Sequence, residues 1–218
     1  MIHSHVVKRK KKVDTTWTPH LAYAIGVIAT DGNLSPDGRH ICITSKDGDW
    51  LSQIRDSLEL TCRLGKKARA HSKEKKYSVL QIGDINFYEF LLDIGLTPNK
   101  SKSISQLKIH PDFFHDFLRG CIDGDGSITL SSHPESKHQQ LRIRLCSASS
   151  NFIQWIHKEI LTHLDVIGGW VYVSPARSVS TLSYGKADSI KILHYLYSDP
   201  KSLRLERKFQ TGKAFMGK

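Results

Sequence analysis

The chain has 218 residues, 39% of them hydrophobic, enough for one domain or for two halves of roughly 100 residues each. Lysine and arginine exceed aspartate and glutamate by 32 − 21 = 11, and the isoelectric point is near 9.5. This charge favours a polyanionic partner such as nucleic acid. No apolar run is long enough to span a bilayer, and no signal peptide is recognised at the N-terminus. We therefore expect no membrane partner and an intracellular location, which is cytoplasmic or, in a eukaryote, organellar or nuclear.

The first predicted elements are a basic tail and an apolar helix. Residues 1–13 include five consecutive basic residues and are expected to be solvated. Pro19 suits the first position of a helix, because its missing N–H would have no helical partner there. The apolar pattern that follows runs to Asp31 and Gly32. A carboxylate at a helix C-terminus faces the negative end of the helix dipole, so another interaction must favour Asp31 there.

The rest of the first half alternates strands and helices. Residues 33–38 read as a loop, and residues 40–46 alternate as a strand with Ile41 and Ile43 facing a core. A helix through about residue 60, a basic stretch, a strand over 77–82 and a helix over 85–94 follow.

The helix-to-aspartate pattern occurs twice. Gly26 and Gly120 each lie five residues before an Asp-Gly pair, at Asp31 and Asp125. Glycine inside a helix costs about 1 kcal/mol relative to alanine, so its presence suggests that another backbone approaches closely. Two helices that cross there bring the aspartates together, and adjacent carboxylates repel unless a cation lies between them. Oxygen ligation with room for water suits Mg²⁺. Asp123 lies about 200° around the helix from Asp125, so it is expected to support the site indirectly or to be exposed.

The two halves align by subtraction. The motif aspartates differ by 125 − 31 = 94 positions, and later pairs such as Pro200 and Pro98 differ by 102. After one insertion of 102 − 94 = 8 residues, within 131–140, we therefore expect the two halves to align without gaps. The sequence predicts a duplicated α-β-β-α-β-β-α unit, with repeats over residues 14–107 and 108–218.

Strand alternation identifies a polar face on both predicted sheets. When Leu141, Ile143 and Leu145 face the core, Arg142 and Arg144 face outward. β-strands that enter the major groove can read guanine through arginine and adenine through glutamine. The candidate DNA-binding residues on this face and in the adjoining loops are Arg39, His40, Thr44, Lys46, Lys67, Arg69, His71, Lys73, Tyr77, Gln81, Arg142, Arg144, Arg177, Thr181 and Ser183.

Residues 24–32 and 118–126 resemble the two motifs of the LAGLIDADG homing endonuclease family, in its single-chain form. The resemblance implies an α+β fold, with two pseudo-symmetric repeats that form a saddle of antiparallel strands over DNA and motif helices packed at the centre. It also implies a site-specific DNA endonuclease that makes a metal-dependent staggered double-strand break in a long, asymmetric site, and a chain that acts as a monomer.

The resemblance also implies site residues. Asp31 and Asp125 are the expected metal ligands, helped by the backbone carbonyls of Thr30 and Gly124. The expected cofactor is Mg²⁺; Mn²⁺ is expected to substitute, and Ca²⁺ to support binding without cleavage. Lys46 and Lys100 match basic positions around the family's metals, and we include them among the catalytic candidates.

Two alternatives remain open from the sequence. A protein of the same fold can bind without cutting, as an RNA-splicing maturase that holds intron RNA or as a DNA-binding regulator. A basic scaffold can bind nucleic acid without sequence preference. Both acidic positions are filled, which favours an active enzyme.

Overall fold

Two similar α+β units make up the chain. The computed structural model describes residues 11–68, 74–132, 139–174 and 178–217. The first unit contains α1 (Pro19–Thr30), β1 (Gly32–Leu34), β2 (His40–Ser45), α2 (Gly48–Ser57), β3 (Gly65–Lys67), β4 (Tyr77–Gly83) and α3 (Ile85–Asp93). The second contains α4 (Phe114–Gly124), β5 (Gly126–Ser131), β6 (Gln140–Ser147), α5 (Ser150–His163), β7 (Trp170–Ser174), β8 (Val179–Tyr184), α6 (Lys186–Leu196) and α7 (Glu206–Lys213).

The predicted fold class and order of elements are confirmed. Each unit has an antiparallel four-stranded sheet, with orders β1-β2-β4-β3 and β5-β6-β8-β7. Gly32 pairs with Ile43, and in the second sheet Gly126 pairs with Leu145. Two differences are found: β1 occupies part of the predicted loop 33–38, and the eight-residue helix α7 follows the second repeat where the first has only a short 3-10 helix, Lys100–Lys102.

The core lies on one face of each sheet. Ile41 and Ile43 are fully buried, and at most 2% of the surface of Leu141, Ile143 and Leu145 is exposed. Helices α2 and α3 pack on the first sheet, and α5 and α6 pack on the second. The alternation predicted from sequence is therefore confirmed, and the opposite face of each sheet is left for polar side chains.

Helices α1 and α4 cross at the two predicted glycines. A Cβ atom at Gly26 would lie 2.1 Å from the carbonyl oxygen of Phe117, and one at Gly120 would lie 2.2 Å from the carbonyl oxygen of Tyr23. No real Cβ fits at these distances, so the close backbone approach inferred from the glycines is confirmed. The crossing joins the two units at the ends of their motif helices.

Neither motif helix ends with a glycine in the left-handed conformation, although many helices that are followed by glycine end in that way. Asp31 and Asp125 cap the helices in the right-handed conformation. The next residues are glycine because a Cβ at Gly32 or Gly126 would lie 2.6 Å from the Cα of the residue four positions earlier. The Asp-Gly pair thus permits an immediate turn from helix into strand.

Part of the predicted N-terminal tail packs against the first unit. Val13 is buried, and the backbone N–H groups of Lys12 and Val13 donate to the Asp84 carboxylate at 2.6 and 3.0 Å. Residues 1–10 and four candidate DNA-binding residues lie outside the described residues, namely Arg69, His71, Lys73 and Arg177. Among the helices of the described ranges, none has the length and apolarity needed to cross a membrane.

Candidate active site

The helix crossing brings Asp31 and Asp125 together at one surface. Thr30 packs so closely on α4 that a Cβ at Gly124 would lie 2.1 Å from its Oγ1 and 3.4 Å from Asp31 Oδ2. Both aspartates are exposed. Asp31 directly precedes β1 and Asp125 directly precedes β5, so both lie where a motif helix turns into the first strand of its sheet.

The two carboxylates share an unfavourable electrostatic environment. Desolvation between the packed helix ends, together with the negative charge of Asp125, raises the pKa of Asp31 to about 6 against the opposing charges of Lys208, Lys100 and Arg207. Desolvation likewise raises the pKa of Asp125. A cation bound between two such neighbouring carboxyl groups would stabilise their ionised forms.

Two buried lysines stand behind the aspartates in equivalent positions. Lys100 donates from Nζ to the carbonyl oxygen of Gly32. Lys208 donates to the equivalent carbonyl of Gly126 at 2.7 Å, and also to the carbonyls of Ile122, Asp123 and Gly124 at 2.6 to 2.9 Å. Burial lowers the pKa of each lysine to about 8, and the carboxylates of Asp31 and Asp125 oppose that shift.

Lys208 is a site residue that the candidate set lacks. Its equivalence to Lys100 gives an offset of 208 − 100 = 108, so a second insertion of 108 − 102 = 6 residues lies between Pro200 and Lys208. The sequence signal was the basic pair Arg207-Lys208 after the last predicted helix. The uninterrupted offset assumed from sequence is wrong in this stretch.

The residues at the crossing fit a hard divalent cation. The described ranges contain no group of three acidic, histidine or cysteine side chains that could hold a metal. Two carboxylates with backbone oxygens leave positions for water and substrate, which suits Mg²⁺. The Gly124 carbonyl already accepts from Lys208, which leaves one lone pair, and the Thr30 hydroxyl donates to the carbonyls of Gly26 and Val27.

Asp123 is buried between the two units rather than exposed. Its carboxylate accepts hydrogen bonds from Tyr23 Oη at 2.7 Å, Tyr197 Oη at 3.2 Å and the Leu205 N–H at 2.8 Å. Trp50 Nε1 in turn donates to Tyr23 Oη at 2.6 Å. These bonds tie the segment before α7 to α4 and so hold Lys208 at the site. The sequence predicts only the direction of Asp123 on the helix, because the partners of its carboxylate are distant in the chain.

The described DNA-binding candidates lie along the outer faces and edges of both sheets. In the second sheet, Arg144 pairs with Ser127 on one side and Ser183 on the other, and Arg142 pairs with Thr129. In the first, Gln81 pairs with Cys42, and Lys67 pairs with Tyr77. The remaining described candidates are Arg39, His40, Thr44 and Thr181, all exposed or half-buried, whereas Ser183 is buried.

Lys46 differs from Lys100 in its surroundings. It is exposed at the end of β2, with its ammonium 5.7 Å from the centre of the Tyr77 ring. The cations whose charge lowers the pKa of Asp31 are Lys208, Lys100 and Arg207. Lys100 therefore acts on the charge of Asp31 from a buried position, whereas Lys46 is exposed beside Tyr77 at the end of β2.

We expect Asp31→Asn to stabilise the metal-free protein at neutral pH. Since the folded pKa of Asp31 is raised, the folded state binds more protons than the unfolded state between about pH 4 and 6, and stability falls as pH rises through that window. Melting temperatures in a chelator should show Asp31→Asn above wild type at pH 7.5 and equal to it at pH 4. Asp37→Asn is the control: its pKa is lowered to about 2 beside His40, so the change should be small and of opposite sign. A lower melting temperature for Asp31→Asn at pH 7.5 would contradict the electrostatic account.

No protein-family model and no curated protein matches the sequence, whereas solved structures share its fold. The LAGLIDADG homing endonuclease I-LtrWI, bound to target DNA, is 12% identical with a TM-score of 0.57 over 90% of this chain and 88% of that chain. I-DmoI in complex with DNA and Mn is 14% identical with a TM-score of 0.54, over 83% and 97%.

The fold also occurs outside proteins described as endonucleases. Full-length DUF199/WhiA from Thermatoga maritima is 17% identical with a TM-score of 0.52, over 94% of this chain and 64% of that chain. The similarities at these identities concern architecture, and they agree with the repeat order, the two sheets and the crossing of α1 and α4 described above. The chain has the two-repeat fold of the LAGLIDADG homing endonucleases.

Proposed function

We propose that the chain is a site-specific DNA endonuclease that makes a metal-dependent, staggered double-strand break in a long, asymmetric target. The observation that carries the proposal is the meeting of Asp31 and Asp125 at the helix crossing, beside two sheets whose outer faces bear cations and hydrogen-bonding side chains. Because one chain supplies both motif helices, we propose that it acts as a monomer.

The two sheets serve to position DNA. Arginine and lysine side chains on their outer faces attract phosphates without regard to sequence, whereas Arg144 and Gln81 have the donors and acceptors that distinguish bases in the major groove. The two faces differ in composition, with Gln81 and Lys67 on the first and Arg142 and Arg144 on the second. Different faces read different half-sites, so the target is asymmetric.

The site residues divide the chemistry between them. Cleavage forms a bond from a water oxygen to phosphorus, breaks the bond to the leaving oxygen, and returns a proton to that oxygen. Asp31 and Asp125, with the carbonyls of Thr30 and Gly124, would hold Mg²⁺ or Mn²⁺, which activates water and offsets phosphate charge. Lys100 and Lys208 keep positive charge behind the carboxylates, and Lys46, which is exposed at the end of β2, contacts a phosphate.

The direct test is incubation of a randomised duplex library with the full chain, first in Mg²⁺ and then in Ca²⁺. We expect one long sequence to be cut in Mg²⁺ and the same sequence to be retained, uncut, in Ca²⁺. A matched library in RNA, including intron RNA, distinguishes a maturase. Retention without cutting in every metal would establish the alternative of a non-cleaving binding protein, and retention without sequence preference would establish a basic scaffold.

Arg144→Ala should relax sequence choice within one half-site. Loss of a base contact costs about 1–3 kcal/mol at the position it reads and little elsewhere. The measurement is selection of bound sequences in Ca²⁺ by wild type and variant. Lys158→Ala, which removes a charge from the exposed side of α5, should leave the selected sequence unchanged. Uniform weakening by Arg144→Ala across all sequences would mean that Arg144 contacts only phosphate.

A further inference from the structure

A cationic cavity lies on one side of the candidate active site. It has a volume of about 810 Å³ and is bounded by the end of β2, the start of α2 and residues 200–207. Its basic side chains, besides His20, are Lys46, Lys66, Lys201, Arg204 and Arg207. Asp47, Asp49 and Glu206 are its acidic ones. One wall comes from the first repeat and the other from the second.

The second wall is the six-residue insertion that precedes Lys208. The first repeat passes from Pro98 to Lys100 with Asn99 between them, whereas the second needs residues 201–207 to reach Lys208. Arg207 therefore stands immediately before Lys208 where the first repeat has Asn99, an uncharged residue in the left-handed conformation. Lys46, on the opposite wall, has Ala148 as its counterpart at the offset of 102. The extra charges occur on one side only.

Arg207 is the cavity cation placed to reach the site. Its side chain is 60% exposed, and its Nε and Nη2 lie 3.2 Å from Asp47 Oδ2, across the boundary between the units. The hydrogen bonds from Lys208 to four carbonyls hold the backbone next to Arg207 in place. The positive charge of Arg207 lowers the pKa of Asp31. Arg204, by contrast, is engaged with Glu206 and lies 3.8 Å over the Phe209 ring.

Asp47 holds the guanidinium of Arg207 only weakly, so the group stays available to bind a phosphate. An exposed pair such as Arg207–Asp47 contributes about 0–1 kcal/mol, so a phosphate can take over the free donors at small cost. Arginine presents parallel N–H groups that match two phosphate oxygens, and it remains protonated throughout.

We propose that Arg207 is a catalytic residue for one DNA strand only. It donates hydrogen bonds to the non-bridging oxygens of the scissile phosphate nearer the cavity, and it offsets negative charge as the bond to the leaving oxygen breaks. No proton passes to or from the guanidinium. Asn99 gives the other strand no such contact, so the strands are cut at unequal rates and a nicked duplex accumulates. The proposal rests on the endonuclease function proposed above.

The test uses the selected target duplex with a different label on each strand, cut by the full chain in Mg²⁺. We expect wild type to cut one strand faster, and Arg207→Ala to slow that strand by about 10²-fold while the other changes less than about twofold. Retention in Ca²⁺ should stay within about threefold of wild type. Lys201→Ala removes a charge from the same cavity and should affect both strands equally.

The outcomes separate the two proposals. Equal slowing of both strands by Arg207→Ala, or no slowing of either, overturns the one-strand role while the endonuclease function stands. Failure of wild type to cut any duplex overturns the endonuclease function and this role with it. Arg207→Lys keeps the charge without the paired donors, so we expect the affected strand to recover only in part.

Discussion

Replacement of either Asp31 or Asp125 by asparagine is expected to abolish double-strand cleavage and to leave DNA binding nearly intact. Each substitution removes one of the two negative charges at the helix crossing, where a divalent ion would be held. Loss of a group that stabilises transition-state charge costs about 10²–10³-fold in rate, and both strands require a functional centre. Binding depends on the sheet faces, which neither substitution touches.

Cleavage of the selected duplex in Mg²⁺ and its retention in Ca²⁺ measure the two effects separately. Asp112→Asn, at an exposed aspartate before α4, is the control for loss of one negative charge and should cut as wild type does. Full activity in Asp31→Asn or Asp125→Asn would refute the site. Loss of binding together with cleavage would show that the substitution disturbed the fold, and the melting temperatures expected above would then also be reduced.

The second large effect concerns the helix crossing. Gly26→Ala should destabilise the protein by about 3 kcal/mol or more, because its Cβ would lie 2.1 Å from the Phe117 carbonyl and neither backbone can move alone. The sign of the change in unfolding free energy tests the crossing, since glycine to alanine at an unobstructed helix position stabilises a protein by about 1 kcal/mol. Denaturation in urea by circular dichroism measures the free energy of unfolding.

Gly185→Ala provides the matched control for the crossing. A Cβ at Gly185, before α6, would meet no atom within 4 Å, so the expected change is below about 1 kcal/mol. Gly120→Ala should behave like Gly26→Ala, since its Cβ would lie 2.2 Å from the Tyr23 carbonyl. Similar stabilities for Gly26→Ala and Gly185→Ala would contradict the crossing.

The crossing and the repeat are predictable from the sequence because their signals are local. A glycine within an apolar helix, five residues before Asp-Gly, can be recognised from about a dozen neighbouring residues. The same pattern occurs again in the second half of the chain. Strand alternation likewise identifies the buried side of β6 and thus the outward direction of Arg142 and Arg144. Each of these features follows from the periods of helices and strands.

The remainder of the site depends on contacts between distant segments. Lys208 meets the carbonyls of α4 across more than 80 residues, and Asp123 meets Tyr23 across 100. Sequence spacing gives no direct signal for such pairs, and the insertion before Lys208 shifts the register that would have aligned it with Lys100. The ends of the motif helices likewise depend on packing: crowding by the previous turn, rather than a positive φ, requires Gly32 and Gly126.

The glycine crossing has a consequence for how such a protein acquires a new target. Main-chain atoms in contact at Gly26 and Gly120 set how closely the helix ends that carry Asp31 and Asp125 approach each other, and side-chain rotamers cannot change that backbone separation. In the endonuclease proposed above, substitutions on the outer strands would therefore change which bases are recognised, whereas the number of base pairs between the two cuts would stay the same.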